Sequence, residues 1–452
     1  MGNPDIDSRG RALVRIKWAA LGALLAFVVA SAALGATGDL APRGCIDDDP
    51  AGPDDCARSL PNLGNPQGVT VSPDGRSVYV AGQVDDALLV FKRNRRTGNV
   101  VPKGCIGNFG TNFDCARQVP GLDNPHSIAV SSDGKSVYVT ADESNSIARF
   151  KRNRKTGRLV PRGCIGDDGN PDVCGRDAPG LDGVLDIVVS PDGRSVYAGS
   201  NEGAVTRFKR ARKTGALRSR GCVADADGGP AECAQTANSL DYVYGLSMSP
   251  NGKSLYATSY EGDAITTFSR NTTTGALRHR GCVGDNDLNP DGCARQTDGL
   301  NGAIAVDVSS DGKSVYVVGA LDDAVVHLKR NRRTGALAPV RCIDDGTGPD
   351  DCVRAAPGLA GVEAVAVSAD GKSVYATARD DDAIVHLRRK RSNGAIKARN
   401  CVHDNDTGTD SCSREADGLN GAQDVDISAD GRSVYAVSAS DHALVLLKRR
   451  RR

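Results

Sequence analysis

Three features of this 452-residue sequence predict an all-β chain closed into a ring of seven sheets, a seven-bladed β-propeller. One short string recurs seven times, four strand patterns follow one another in each repeat, and the chain's two ends carry complementary parts of one unit. The string is Ser-x-Asp-Gly-[Lys/Arg]-Ser-[Val/Leu]-Tyr. Its tyrosine falls at Tyr79, Tyr138, Tyr197, Tyr256, Tyr316, Tyr375 and Tyr435, spaced 59 or 60 residues apart, and in the fourth copy Asn251 replaces the aspartate.

Each unit reads in the same order. An alternating run (Val69 to Ser72 in the first) enters the Ser-Pro-Asp-Gly turn, and a second run follows at Ser77 to Ala81. A short acidic loop leads to a third run, Ala87 to Lys92, and a basic Thr-Gly turn leads to a fourth that ends at a cysteine. Four short runs punctuated by Gly, Asp and Asn make four antiparallel strands per blade. The last unit stops after its third strand, at Leu447 and the Lys448–Arg452 tail. Thr37-Gly38-Asp39-Leu40-Ala41-Pro42 matches Thr334 to Pro339, so the N-terminal segment supplies the missing outer strand and removes two open edges. A solenoid of stacked units is the competing arrangement, and the complementary ends favour the ring. The low aromatic content (4%) and 53 glycines suit short strands and tight turns.

Arg9, Arg11, Arg15 and Lys17 precede an uncharged run from Trp18 to Ala36, the pattern of a secretory signal or of an uncleaved membrane anchor over residues 1–36. Either places residues 37–452 outside the cytoplasm, secreted or at the cell surface. The 14 cysteines fall two per unit: Cys45 and Cys56, Cys105 and Cys115, Cys164 and Cys174, Cys222 and Cys233, Cys282 and Cys293, Cys342 and Cys352, Cys401 and Cys412. No Cys-x-x-Cys knuckle occurs, and an exported chain with local pairs is expected to close seven disulfides.

Net charge is only +1, which gives no argument for nucleic acid. The distribution is bipolar. The turns after the third strands carry 26 Lys and Arg, and the segments between paired cysteines carry 22 Asp and Glu with no Lys or Arg. The basic face is read either as a solvated surface or as a dock for anionic lipid or a polyanionic polymer. On the acidic face, Asp225 with Asp227, Asp285 with Asp287, and Asp404 with Asp406 and Asp410 place oxygens at alternate positions. That spacing is read as possible calcium ligation or as solvated acidic loops, and no cofactor is required.

Aligning the first strands on Ser72 and its equivalents exposes one variable position, five residues upstream: Gln67, His126, Leu185, Tyr244, Ile304, Glu363 and Gln423. If the first strand lines the ring axis, these residues and the neighbouring Asp186 and Asp424 stand at a channel mouth. His126 and Glu363 are the candidate base and acid there. A plugged, structural channel is the alternative. His327 and His386, equivalent positions in the third strand, read as blade surface.

Ser132 to Asp142, continuing to Phe150, resembles the YVTN repeat of surface-layer and exported propellers. The Thr-Gly-x-Leu after most third strands is similar to the lactonase-like seven-bladed propellers, the group that includes 6-phosphogluconolactonase. The resemblance implies the fold over the whole mature chain. It carries over no catalytic residue, because the shared motifs build turns and strands. The expectation is an exported, disulfide-stapled, monomeric propeller that binds a protein, glycan or anionic surface polymer. A lactone hydrolase with its site at the acidic mouth is the second reading.

Overall fold

The computed structural model describes residues 37–451 apart from 49–55, 112–113, 168–173, 289–291, 347–351, 353 and 408–411. The N-terminal basic and apolar segment therefore lies outside the described residues, as does Asp410.

Seven antiparallel sheets follow one another along the chain. The first is built from Pro66–Val71, Ser77–Gly82, Ala87–Arg93 and Val100–Asn108, running from the ring axis outwards. The last joins Ala422–Ile427, Ser433–Ser438 and Ala443–Arg449 to the N-terminal strand Leu40–Ile46, with Leu40 opposite Arg449. Ring closure by the N-terminal outer strand is thus observed. A fifth segment was not expected. After the second cysteine the chain runs parallel to the outer strand, as a short strand in four blades and as an isolated bridge in the other three. It covers the outer edge, and the nearby disulfide holds it there.

All seven expected cysteine pairs are disulfides. Cys45 is bonded to Cys56, Cys105 to Cys115, Cys164 to Cys174 and Cys222 to Cys233. Cys282 is bonded to Cys293, Cys342 to Cys352 and Cys401 to Cys412. The first cysteine of each pair stands on the outer strand and the second on the loop that returns along it. These are structural staples at the ring's periphery, remote from the axis.

The repeated turn forms for local reasons. Ser72 Oγ donates to Asp74 Oδ1 at 2.7 Å, Ser77 N donates to Ser72 Oγ at 3.0 Å, and Gly75 takes the positive φ of 65° that the reversal needs. Second strands such as Ser77–Gly82 are buried at every position, because neighbouring sheets cover both faces. The core consequently lies between blades. Val437 and Leu444 of the last sheet pack with Val69, Val78 and Leu89 of the first.

Neighbouring blades are also joined by a repeated polar latch. Arg152, 2% exposed, donates from Nε to Tyr79 Oη of the preceding blade at 2.7 Å. Its Nη1 and Nη2 each reach Asp74 at 2.9 Å, and Nη2 also reaches Ser77 Oγ at 3.0 Å. Tyr79 Oη in turn donates to Gly157 O at 2.8 Å. A Cβ on Gly157 would stand 2.3 Å from Ser77 Oγ, so the Thr-Gly turn needs glycine at this contact. Arg93, Arg210, Arg270, Arg330, Arg389 and Arg449 occupy the same place. One cation of each basic cluster is therefore internal, because a single guanidinium satisfies several groups of the adjoining blade. The seventh latch uses both chain ends: Arg449 donates to Tyr375, and Tyr375 donates to Gly38 O.

His327 and His386 correct the surface reading. They are buried (0% and 1%), share hydrogen bonds with Ser314 and Ser373, and stack on Tyr316 and Tyr375 with centroids 5.2 and 5.1 Å apart. Their place in the third strand, beside the second-strand tyrosine of the same sheet, brings each ring against its tyrosine.

Candidate functional site

The innermost strands surround an axial cavity of about 180 Å³. Gln67, His126, Tyr244, Ile304, Glu363 and Gln423 line it with the neighbouring Asp186 and Asp424, so six of the seven residues at the variable position are brought together, and Leu185 is not among them. The cause is a bulge. The register of first against second strand slips between Pro66 and Gly68, leaving Gln67 unpaired in the ladder. The same slip leaves Tyr244 unpaired between Val243 and Gly245, and Glu363 between Val362 and Ala364. A bulge re-aims its extra residue away from the sheet's alternation, here into the channel.

Glu363 forms an ion pair with Arg379 Nη1 at 2.9 Å; Arg379 sits on the loop between second and third strands and also holds Asp380 at 3.0 Å. Burial pushes the Glu363 carboxyl up to about 7, although Arg379 opposes the shift. His126 lies edge-on to Tyr244, ring centroids 5.6 Å apart, and burial lowers it to about 4, so the imidazole is neutral at physiological pH. Burial, then the Glu363 charge, raise Tyr244 above the usual phenol value and keep it protonated.

Below the mouth, carboxylates tie adjacent first strands together. Asp424 Oδ2 accepts from Val69 N at 2.8 Å, and Asp186 Oδ2 accepts from Leu246 N at 2.7 Å. Asp307 and Asp426, which sequence reasoning missed, do the same with Val367 N and Val71 N, both at 2.7 Å. The channel edge of each first strand has no strand partner, and in the first, fourth and sixth blades these carboxylates satisfy its amides. Asp307 and Asp426 stand two residues upstream of the aligned serine, on the face opposite the apolar positions, and that alternation was the available signal.

Burial raises Asp307 to about 6 and Asp426 to about 7. Each group holds its proton more tightly folded than unfolded. Its contribution is complete below the unfolded value near 3.8 and is lost as pH rises through 6 to 7. Asp426→Asn, which retains an acceptor for Val71, is expected to lose less stability than the parent between pH 4 and 8. Melting curves of the two proteins that stay parallel over that window would refute the assignment.

Two further residues at the rim were also missed. Tyr242 has a φ of 57°, where the other blades place Asn65, Asn124, Gly183, Gly302, Gly361 and Gly421. A tyrosine in this region is strained by about 1–3 kcal/mol. Its ring stacks on Tyr244 (6.1 Å, 17°) and lies 5.7 Å from that of the second residue, Tyr260. The column that holds Tyr242 in the seven aligned copies was the signal.

The paired aspartates read as calcium ligands point apart. Asp225 is buried and accepts from Asp227 N at 2.8 Å and Leu240 N at 2.7 Å, while Asp227 is exposed. Asp285 and Asp404 fasten their loops in the same way, to Leu300 N at 2.9 Å and Leu419 N at 2.8 Å, leaving Asp287 and Asp406 exposed. Among the described residues, no group of three or more His, Cys, Asp or Glu is disposed to hold a metal ion.

The family model described as "Lactonase, 7-bladed beta-propeller" matches residues 68–165 and 294–408. The uncharacterized protein YwcC of Lactococcus lactis is 24% identical over 301 residues, 66% of this chain and 77% of its own. Among solved structures, the periplasmic gluconolactonase PpgL of Pseudomonas aeruginosa is 20% identical, covering 77% of this chain and 87% of its own at a TM-score of 0.55. The hydrazine synthase of Kuenenia stuttgartiensis has the same TM-score at 17% identity, covering 86% and 96%. These two share the architecture and carry different names, so likeness at this level speaks for the fold alone.

Proposed function

This chain is a lactonase-like seven-bladed β-propeller, and on that premise we propose that it hydrolyses a small polyhydroxylated lactone at the axial mouth. The observation that carries this reading is Glu363. It is a bulged side chain in the cavity wall, placed beside a protonated tyrosine, and burial brings its proton affinity near neutrality. Glu363 takes a proton from water as the water oxygen bonds to the lactone carbonyl carbon. The resulting alkoxide collapses, the ring C–O bond breaks, and the proton passes to the departing ring oxygen. The product is the open hydroxy acid, with one water consumed. Tyr244 donates its O–H to the developing oxyanion, neutral His126 supports Tyr244 edge-on, and Tyr242 offers an apolar ring face to the substrate's C–H groups. A strained tyrosine at the rim, where six other blades use Asn or Gly, favours a ligand contact over a packing role.

The same proposal places the protein outside the cytoplasm. Seven disulfides suit an oxidising compartment, and the basic and apolar N-terminal pattern suits export.

Proton release from a panel of aldonolactones by the oxidised protein tests the chemistry. Glu363→Gln is expected to lower kcat/KM by about 100-fold or more in a protein that still folds with a cooperative transition. The parent rate should rise with pH through about 7 as Glu363 ionises. Absence of turnover by the parent protein across the panel would end the hydrolase reading.

A further inference from the structure

We propose that the face of the ring opposite the axial mouth docks on an anionic phospholipid membrane, so that the mouth is turned away from the bilayer. Two independent observations meet on that face. The first is charge. The turns from first to second strand and from third to fourth strand lie together there, as Ser77 opposite Lys92 and the Arg93 contact with Gly75 O show in the first blade. Arg95, Arg96, Arg154, Lys155, Arg332 and Arg333 are exposed on it, and the other blades repeat the arrangement except the fourth, where Thr272 and Thr273 stand in place of the two cations. The turn aspartates do not cancel this charge. Asp74, Asp133, Asp192, Asp311, Asp370 and Asp430 are each ion-paired with a buried latch arginine, leaving the exposed cations unopposed by them.

The second observation is where the chain enters the ring. Thr37 and Gly38 form the Thr-Gly turn of the seventh blade on this same face: Gly38 N donates to Arg450 O at 2.9 Å and Gly38 O accepts from Tyr375. In the sequence, the uncharged run Trp18–Ala36 ends at the residue immediately before Thr37, with no spacer. The described ring thus begins on its cationic face, at the residue that follows the apolar run in the sequence. Screening over about 8–10 Å makes the near face dominate, so the acidic loops on the far face do not cancel the attraction. Anionic headgroups supply a flat, extended counter-charge that matches the repeated turns.

The ring over residues 37–451 is closed by its own two ends, so the oxidised 37–452 protein is the reagent. It is mixed with phosphatidylcholine vesicles, with or without about 30 mol% phosphatidylglycerol, at about 0.1 M and about 1 M salt. The expected result is binding to the anionic vesicles only, reduced at least about tenfold at the higher salt. The combined Arg95→Glu, Arg96→Glu, Arg154→Glu, Lys155→Glu variant should lose about tenfold or more while its melting and lactone turnover stay unchanged. None of these four side chains makes a latch ion pair or lines the mouth, so failure here leaves the hydrolase reading standing, and the reverse.

Orientation has its own readout. The chain's one tryptophan is Trp18, so single reporters in the 37–452 protein are unambiguous. Arg154→Trp should shift to the blue on anionic vesicles, and Glu261→Trp on the mouth side should not. Equal binding to neutral vesicles, a shift confined to the Glu261→Trp protein, or tighter binding to soluble polyglutamate than to anionic vesicles would each overturn the proposal. The last outcome would identify a soluble polyanion as the partner.

Discussion

Arg152→Met is expected to destabilise the ring by about 3–5 kcal/mol, because it removes one member of a buried charged network and leaves the others in place. Asp74 would lose both bonds from the guanidinium, and Tyr79 and Ser77 would lose one each. Burial alone raises the Asp74 carboxyl, and the Arg152 hydrogen bonds, with others from its own turn, more than reverse that, holding it below the usual range. Lysine cannot supply the forked geometry, so Arg152→Lys should recover less than half of the loss. The fourth blade provides an internal comparison. Arg330 reaches Tyr256 Oη at 2.5 Å and Ser254 Oγ at 3.0 Å, but the turn residue there is Asn251, so its guanidinium meets no turn carboxylate. Arg330→Met strands no carboxylate and should cost visibly less. Denaturant midpoints for the two methionine variants settle the matter: equal losses would mean that the carboxylate adds nothing to the latch.

Reduction should have the larger effect. Each disulfide joins cysteines 10 or 11 residues apart, and closing such a loop in the unfolded chain stabilises the fold by about 3 kcal/mol. The seven loops do not overlap in sequence, so their effects add to on the order of 20 kcal/mol, against a typical net stability of about 5–15 kcal/mol. The fully reduced chain is expected not to regain its β-sheet circular dichroism at 37 °C, whereas an oxidised sample refolds. Removing one pair, as Cys105→Ala with Cys115→Ala, should lower stability by only about 3 kcal/mol. A reduced protein that melts like the oxidised one would show that the latches and inter-blade core suffice.

Much of the site was legible because repetition supplies its own alignment. Seven copies set Gln67, His126, Tyr244, Glu363 and Gln423 in one variable column, and the structure places all five on the cavity wall. Neighbouring columns contained Tyr242 among Asn and Gly, and Asp307 and Asp426 among small residues. A reading confined to one offset passes them by. Arg379 could not be found that way. It lies on a loop, sixteen residues from Glu363, and the antiparallel pairing of first and second strands, with Val362 opposite Ala378, returns it to that carboxylate.

What the sequence determined by itself is what depends on near neighbours. The Ser-x-Asp-Gly turn closes through bonds between Ser72, Asp74 and Ser77, the cysteines pair across 10 or 11 residues, and period-two apolar runs make the strands. Complementary chain ends made the ring legible too, since a blade lacking its outer strand leaves an open edge. Tertiary structure decided what depends on groups far apart in the chain. Arg93 meets Tyr435 across 342 residues, and it leaves a surface charge cluster to become a buried latch. Burial also decided the chemistry. The same carboxyl group is held low at Asp74 beside an arginine and raised to about 7 at Glu363 in the channel wall. Proton affinity follows the surroundings that folding assembles, and no residue type carries those surroundings with it.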